Sequence, residues 1–189
     1  MAQPKEASPA LLEALEAPEY VVDENAEPIV FKNNGLTLKD MAGLDYDDPQ
    51  WDLLLEQLSI EEMRELITSG GFQTAAIHSI KKPATIDTDG PTGVNDIFAG
   101  LAGNQYTSQV VLAATWNIDL AYEMGQAVAN EATAMHMTGL YMPGVNLHRT
   151  QLGGRNFEYY SEDPLISGHM GGSTAQGVAD NGAFVYIKH

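Results

Sequence analysis

The stretch that decides the fold runs from Gly139 to Asp163 and reads GLYMPGVNLHRTQLGGRNFEYYSED. It begins with a short apolar run, Leu140 to Met142, which breaks at Pro143 and continues as a long polar loop. The next segment is typical of a helix that begins at Pro164. A strand that leads into a polar loop and then into a helix is the layout in which α/β proteins place their functional sites.

Composition narrows the classes of partner. The chain has 189 residues, 44% of them hydrophobic, and a formal net charge of −17 at pH 7. The apolar content is sufficient for a core. The strong negative charge argues against nucleic acid and anionic membranes as partners, because both carry phosphates that require basic patches. It suits a neutral substrate such as a sugar, although a merely acidic, solvated surface would account for the same charge.

Several kinds of chemistry have no signal in the sequence. The chain has no cysteine, so we expect neither disulfides nor thiolate chemistry. No basic-then-apolar leader and no membrane-length apolar run is present, which favours a cytoplasmic protein without fixing its compartment. The histidines lack the paired spacing of a zinc helix, so we expect no metal and no cofactor.

The first part of the chain is predicted to be an arm or linker over residues 1–39. Within it, Ser8 and Pro9 are typical of a helix start, and a short strand is expected at residues 29–31. Beyond the arm, helical spacing recurs at Trp51, Leu54, Leu55 and Leu58. A capping box follows at Ser59 to Glu62, in which the two side chains cap the first turn of a helix reciprocally.

Three strand signals each end in polar residues. A short strand at residues 84–86 runs into DTDGPTG at 87–93, which is either turn chemistry or a site. The second strand is Leu140 to Met142, and the third, Ala183 to Ile187, runs directly into Lys188 and His189. Polar residues at the carboxyl ends of successive strands are the pattern of a (β/α)8 barrel. About three of eight units are present, and a chain that stops after a strand indicates a fragment.

Packing roles are expected for several other residues. Glu131 falls on the inner stripe of a helix predicted from Ile118 to Met137, and a buried acid requires a partner. We expect that partner to be an arginine of the 139–163 loop. His148 and Arg149 are expected to hold the loop by pairing with Glu131 or Glu158. Trp51 and Trp116 are predicted to lie in the core.

Five motifs in a fixed order carry a family resemblance. They are LxxLSIEEM at 55–63, DGPTGVN at 89–95, LAATWN at 112–117, PGVNLHRTQLGGRNFEYYSEDP at 143–164 and KH at 188–189. Together they closely resemble glycoside hydrolase family 3, the β-glucosidase family. The resemblance covers about residues 40–189 and implies the first part of the family's barrel domain, truncated after roughly three β/α units.

The resemblance also implies a function. Members of the family are retaining exo-hydrolases of terminal β-linked sugars, and such chemistry requires two carboxyl groups about 5 Å apart. The nucleophilic Asp and the acid/base Glu are expected outside this chain, so no catalytic residue is assigned here. Asp89, Arg155, Lys188 and His189 match family contacts to sugar hydroxyls. Many members have arginine where this chain has Asn95, which puts a second basic group near that loop in doubt.

Alternative functions remain open at this stage. One is a non-catalytic carbohydrate-binding module on the same scaffold, and another is a β-xylosidase or β-N-acetylglucosaminidase of the same family. A metal-dependent barrel hydrolase is disfavoured by the absent ligand spacing. The expected partners are a small β-glucoside or oligosaccharide and the remainder of the barrel with a second domain. Self-association through the apolar edge at residues 183–187 is also expected.

Overall fold

The computed structural model describes residues 6–16, 21, 23–25 and 30–189. The chain divides into two compact units, residues 1–30 and residues 31–189. In the first unit, helix α1 spans Pro9–Leu15, and the Ser8 side chain accepts a hydrogen bond from the Leu11 amide as expected. The strand predicted at 29–31 is not formed at Val30 and Phe31, which have no regular structure, and Ile29 lies outside the described residues.

Five further α-helices lie in the second unit, whose residues are all described. They are α2 (Gln50–Leu55), α3 (Ile60–Thr68), α4 (Gln109–Ala113), α5 (Ile118–Ala134) and α6 (Pro164–Asp180). The predicted starts of α3, α5 and α6 are confirmed by side-chain caps. Ser59 and Glu62 form the capping box of α3, Asn117 accepts from two amides of α5, and Asp163 accepts from the Leu165 amide of α6. Local sequence chemistry therefore sets where these helices begin.

Six short strands form one mixed sheet. They are β1 (Gln73–Thr74), β2 (Thr85–Asp89), β3 (Asn95–Asp96), β4 (Leu101–Ala102), β5 (Gly139–Tyr141) and β6 (Phe184–Val185). The order is β4-β3-β2-β5-β6, with β1 also paired to β2. β2, β5 and β6 are mutually parallel, whereas β1 and β3 pair with β2 antiparallel and β3 with β4 likewise. The fold is α/β, and the three parallel strands lie where the sequence predicted strands.

The third parallel strand is shorter than predicted. Only Phe184 and Val185 form the regular ladder with β5, instead of the expected residues 183–187. Beyond them the chain still follows β5, because the Tyr186 amide donates to the Leu140 carbonyl at 3.0 Å and Lys188 forms an isolated bridge with Gly144. Backbone hydrogen bonds hold Lys188 on both sides, since its amide donates to the Pro143 carbonyl at 3.1 Å and its carbonyl accepts from the Val145 amide at 2.8 Å.

Helices α5 and α6 cover one face of the parallel strands. Leu140 and Met142 are fully buried on this face, in a core cluster that includes Val128 and Val178 of the two helices. The helices approach closely through glycine: a Cβ on Gly125 would lie 2.2 Å from a carbonyl oxygen of α6. The opposite face of the sheet is left free of these helices and carries the polar side chains considered below.

A second, smaller hydrophobic core lies among residues 41–80 of this unit. Its buried members are Met41, Leu54, Leu58, Ile77 and Ile80. Half-buried Trp51 packs against this cluster, which confirms its predicted place. The prediction for Trp116 is wrong: its side chain is 76% exposed, because the chain turns with a φ of +57° between α4 and α5 and directs the ring outward.

The partner predicted for Glu131 is also wrong. No arginine reaches it; its carboxylate accepts from the Asn104 amide at 3.0 Å, from the Asn104 side chain and from the Tyr106 hydroxyl at 2.7 Å. The Gly103 amide donates to the Val94 carbonyl, and this bond helps to place the segment that contains Asn104 and Tyr106 beside α5. Burial acts to raise the pKa of Glu131, but these hydrogen bonds outweigh it and lower the pKa. Burial and Glu131 together raise the pKa of Tyr106 to about 12.

In the described ranges, no helix is both long enough and apolar enough to cross a lipid bilayer.

Candidate functional site

The carboxyl ends of the three parallel strands bring the four predicted residues together. β2 ends at Asp89, β5 leads into the loop that carries Arg155, and β6 leads to Lys188 and His189. Because parallel strands place their carboxyl ends at one edge of a sheet, residues far apart in sequence meet there. Lys188 Nζ forms a salt bridge with Asp89 Oδ1, and Arg155 Nη2 lies 2.6 Å from His189 Nε2.

The Asp89–Lys188 pair combines a buried cation with an accessible carboxylate. The Lys188 side chain is only 15% exposed, whereas that of Asp89 is 51% exposed. Asp89 Oδ1 also accepts from the Gly90 amide at 3.1 Å, which fixes the carboxylate at the start of the DGPTG turn. The pair neutralises the lysine where water is scarce and leaves part of Asp89 free to accept hydrogen bonds from a ligand.

The Arg155–His189 contact fixes the tautomer of the histidine. Arginine can only donate, so His189 Nε2 must accept and its proton must lie on Nδ1. Nδ1 lies 3.3 Å from the Tyr159 hydroxyl, which can accept that proton. Burial, followed by the positive charges of Arg155 and Lys188, lowers the pKa of His189 from its ordinary value. His189 is therefore held in the neutral form.

The long loop positions both ends of this cluster. Its first residues pair with the chain end: the Val145 amide donates to the Lys188 carbonyl at 2.8 Å, and Asn146 Oδ1 accepts from the His189 amide at 2.9 Å. Further along, Arg155 precedes a 3-10 turn at Asn156–Glu158. The Asn156 side chain ties the start of that turn to the preceding loop by donating to the Thr150 carbonyl at 2.8 Å.

Glu158 holds Arg155 in place. Its carboxylate is buried, with 7% of the residue exposed, and forms an ion pair with Nε of Arg155. The hydrogen bond that Arg155 donates to Glu158 raises the pKa of Arg155. The expected pairing of Glu158 with His148 or Arg149 is wrong, since His148 instead contacts the Tyr159 carbonyl at 3.2 Å. The three-residue spacing of Arg155 and Glu158 was the sequence signal for this pair.

A family profile matches the greater part of the chain. The profile described as "Glycosyl hydrolase family 3 N terminal domain" covers residues 54–189. The chain belongs to glycoside hydrolase family 3.

Two relatives of known name support the family 3 assignment. "Beta-glucosidase B" of Emericella nidulans is 34% identical over 146 residues, which cover 76% of this chain and 17% of the relative. "Exo-alpha-(1->6)-L-arabinopyranosidase" of Bifidobacterium longum is 34% identical over 147 residues, which cover 71% of this chain and 19% of the relative. The chain thus spans less than a fifth of the length of these family 3 proteins.

A solved family 3 structure shares the fold. The β-glucosidase 3B of Thermotoga neapolitana, determined in complex with glucose, superposes with a TM-score of 0.60 at 33% identity. The match covers 73% of this chain and 22% of that protein. The mixed α/β sheet described above therefore corresponds to the N-terminal domain of family 3 β-glucosidases.

An apolar groove lies apart from the four-residue cluster, and a more polar cavity lies beside it. In the part of the chain that the structure describes, no three His, Asp or Glu side chains converge as metal ligands. An apolar groove lined by Trp116, Ile118, Leu165, Ile166, His169 and Met170 shares no residue with the cluster. A more polar cavity of about 260 Å³ adjoins the cluster, and its lining includes Asn146, Arg155 and Tyr159.

Proposed function

We propose that this chain is part of a retaining, exo-acting β-glycosidase of the β-glucosidase type, which hydrolyses terminal non-reducing β-D-glycosyl residues. In this proposal the chain supplies sugar-binding residues, and the two catalytic carboxyl groups come from sequence outside residues 1–189. The observation that carries it is the meeting of Asp89, Arg155, Lys188 and His189 at one edge of the sheet, in a chain whose relatives include β-glucosidases.

The proposed architecture is the first part of a (β/α)8 barrel. Strands β2, β5 and β6 would be the first three barrel strands, and residues 40–189 the beginning of the barrel domain, with residues 1–39 as a preceding arm. The parallel pairing of these strands and the position of the polar cluster at their carboxyl ends support this proposal. The last residues of the arm contact the segment that follows α2, since Leu36 and Gln57 exchange two hydrogen bonds.

The cluster has the donors and acceptors that a sugar requires. The exposed part of Asp89 accepts from hydroxyl groups, whereas Lys188 and the terminal nitrogens of Arg155 donate to hydroxyl oxygens. Hydrogen bonds with one charged member are stronger than neutral ones. Contacts that hold and orient the ring also contribute to the rate, because binding energy away from the reacting bond positions the reacting atoms.

Asp89 of the cluster and the neighbouring Glu158 are poor candidates for bond chemistry. Asp89 is paired with Lys188, and Glu158 is buried against Arg155. A retaining hydrolase requires a free nucleophile and a proton donor about 5 Å apart across the anomeric carbon. Carboxylates whose charge is already engaged by a cation suit binding and positioning, which is why the catalytic pair is proposed to lie elsewhere.

The test is a nitrophenyl glycoside assay on residues 1–189 and on the same chain with the sequence that adjoins it in its source. Activity only in the longer protein, and its loss in that protein's Asp89→Asn variant, is the expected result. Hydrolysis by residues 1–189 alone would overturn the assignment of roles. Parallel assays with β-glucoside, β-xyloside, β-N-acetylglucosaminide and α-L-arabinopyranoside identify the sugar, and binding without hydrolysis by the longer protein would indicate a carbohydrate-binding module.

A further inference from the structure

A second carboxylate of β2 lies on the same face as Asp89 and has no place in the sugar-binding cluster. Asp87 is two residues before Asp89, so both side chains point to one side of the strand. Asp87 is only 2% exposed. Its Oδ2 accepts from the Tyr186 hydroxyl at 3.3 Å, and its Oδ1 has no hydrogen-bond partner in the described structure.

The contact between Asp87 and Tyr186 reaches across the strand that lies between them in the sheet. Asp87 belongs to β2 and Tyr186 follows β6, while β5 lies between them with Gly139 in register with Asp87 and Phe184. A Cβ on Gly139 would lie 2.6 Å from Asp87 Oδ1 and 2.5 Å from a ring carbon of Tyr186. Neither gap can hold a carbon atom, so the contact depends on glycine at position 139.

The Asp87–Tyr186 contact repeats the geometry of the Asp89–Lys188 pair two residues further on. In each case a carboxylate of β2 reaches a side chain of the segment that follows β6. These side-chain contacts add to the backbone hydrogen bonds of the segment, in which the Tyr186 amide donates to the Leu140 carbonyl and the Lys188 amide to the Pro143 carbonyl. Fixing Tyr186 against β2 therefore limits where Lys188, two residues later, can place its amine.

The surroundings of Asp87 favour a fixed contact. The Tyr141 and Tyr186 rings pack with centroids 5.1 Å apart, and Phe72 meets the edge of Tyr141 at 5.2 Å. The Asp87 amide donates to the Phe72 carbonyl at 2.8 Å. Burial raises the pKa of Asp87, while the hydrogen bond from Tyr186 and the charge of Lys82 act in the opposite direction. The Tyr186 hydroxyl is the one described hydrogen-bond donor to this carboxylate.

We propose that Asp87 and Tyr186 form a positioning pair that sets the amine of Lys188 against Asp89 and thereby tunes sugar binding. The proposal rests on the sugar-binding role of the cluster given above. Neither member of the pair is assigned a contact with the sugar. Their effect is transmitted along two residues of backbone, from Tyr186 to Lys188.

The first test compares Tyr186→Phe with Tyr141→Phe in the protein as it occurs, with its adjoining sequence. Both changes remove one hydroxyl from neighbouring rings, and only that of Tyr186 reaches Asp87. We expect KM for nitrophenyl β-glucoside to rise roughly fivefold in Tyr186→Phe, as for loss of one hydrogen bond. Little change is expected in kcat, the melting temperature should fall because Asp87 loses its one described donor, and Tyr141→Phe should leave KM unchanged.

Double variants decide whether the effect passes through Lys188. If it does, Tyr186→Phe added to Lys188→Ala raises KM no further, and Asp87→Asn added to Tyr186→Phe also adds nothing. Deoxy-glucosides sharpen the comparison, since the hydroxyl whose removal matters less in Lys188→Ala should be the same one in Tyr186→Phe. Independent, multiplicative effects of Tyr186 and Lys188 on KM would overturn the proposal.

A readout without catalysis separates this proposal from the proposed function. Reductive dimethylation with ¹³C-formaldehyde labels lysine amines and keeps their charge, and the Lys188 signal is assigned by its loss in Lys188→Arg. The signal should move in Tyr186→Phe and stay in place in Tyr141→Phe. An unmoved signal would overturn the positioning role. A moved signal in a protein that neither binds nor hydrolyses glycosides would overturn the sugar function and leave the positioning pair supported.

Discussion

The Glu158 carboxylate forms an ion pair with Nε of Arg155, and the terminal nitrogen Nη2 of the same guanidinium lies 2.6 Å from His189 Nε2. The carboxylate is buried and the arginine side chain is 55% exposed. An arginine held at one nitrogen keeps its remaining donors in a fixed fork. Glu158 is thus a positioning residue in the proposed sugar site rather than a free acid.

Replacing Glu158 with glutamine tests that role. Glu158→Gln keeps the size of the side chain and removes the charge that orients Arg155. We expect roughly a tenfold rise in KM for nitrophenyl β-glucoside, with kcat changed much less. Glu162→Gln, at an exposed position of the same loop, is the control. A fall in kcat by several orders of magnitude at unchanged KM would instead make Glu158 a catalytic acid.

The Asp89–Lys188 pair allows binding and stability to be separated. Asp89→Asn leaves a lysine that is 15% exposed without its counter-charge, so both sugar affinity and melting temperature should fall. In the double variant Asp89→Asn/Lys188→Met the unpaired charge is gone, and the melting temperature should recover while glucose binding stays weak. Calorimetric titration and thermal unfolding measure the two quantities. Recovery of binding together with stability would show that Asp89 does not contact the sugar.

The lowered pKa of His189 predicts a pH dependence of sugar affinity. The unfolded state binds a proton near the ordinary value of 6.5 and the folded state only at lower pH, so the neutral-histidine contact is complete above 6.5. It is lost as pH falls through the folded pKa, because a protonated Nε2 cannot accept from Arg155. Glucose affinity should therefore weaken as pH falls below 6.5.

His189→Gln is the variant that isolates this effect. The amide oxygen can accept from Arg155 and does not titrate, so the pH dependence of glucose affinity between pH 7 and pH 5 should flatten. His169→Gln, on the exposed side of α6, should keep the wild-type profile. An identical slope in His189→Gln and in the wild type would assign the pH dependence to another group.

The capping box of α3 predicts an acid-sensitive part of the stability. Burial acts to raise the pKa of Glu62, but hydrogen bonds from Ser79 and Ser59 outweigh it and lower the pKa to about 2. The stabilisation is complete above 4.5, the value for a free carboxyl, and is lost as pH falls toward 2. Glu62→Gln should lower the free energy of unfolding by about 1 kcal/mol at pH 7.

Thermal unfolding at pH 7 and at pH 2 checks this prediction, with Glu61→Gln as the control because Glu61 is the exposed neighbour in the same turn. The difference between Glu62→Gln and the wild type should shrink at the lower pH. An equal difference at both values would mean that shape, and not charge, is what Glu62 contributes.

The open edge of β6 predicts self-association of residues 1–189. β6 lies at the edge of the sheet. Phe184 in β6 and Ile187 two residues after it are 56% and 60% exposed. An unpaired apolar edge favours pairing with another chain. Light scattering after size-exclusion chromatography should show oligomers of residues 1–189. The fraction of oligomers should fall in Ile187→Lys and stay unchanged in Ile67→Lys, which alters an exposed residue of α3. A cooperatively melting monomer would contradict both this prediction and the fragment interpretation.

The sequence by itself determined the features that depend on nearest neighbours. Helix starts at Ser59, Asn117 and Asp163 follow from side chains that cap amides two or three residues away. The motif order predicted the family and the residues at the strand ends. The α/β class followed because strand, polar loop and helix recur in order along the chain.

Tertiary structure alone decided which side chains meet. Asp87 and Tyr186, like Asp89 and Lys188, are separated by 99 positions, and their contacts depend on strand register and on Gly139. The partners of Glu131 were mispredicted for the same reason, because the sequence does not show which hydrogen-bond donors the fold places beside α5. Patterns along a chain encode which face a residue occupies, and only the packing of strands and helices selects its neighbour across space.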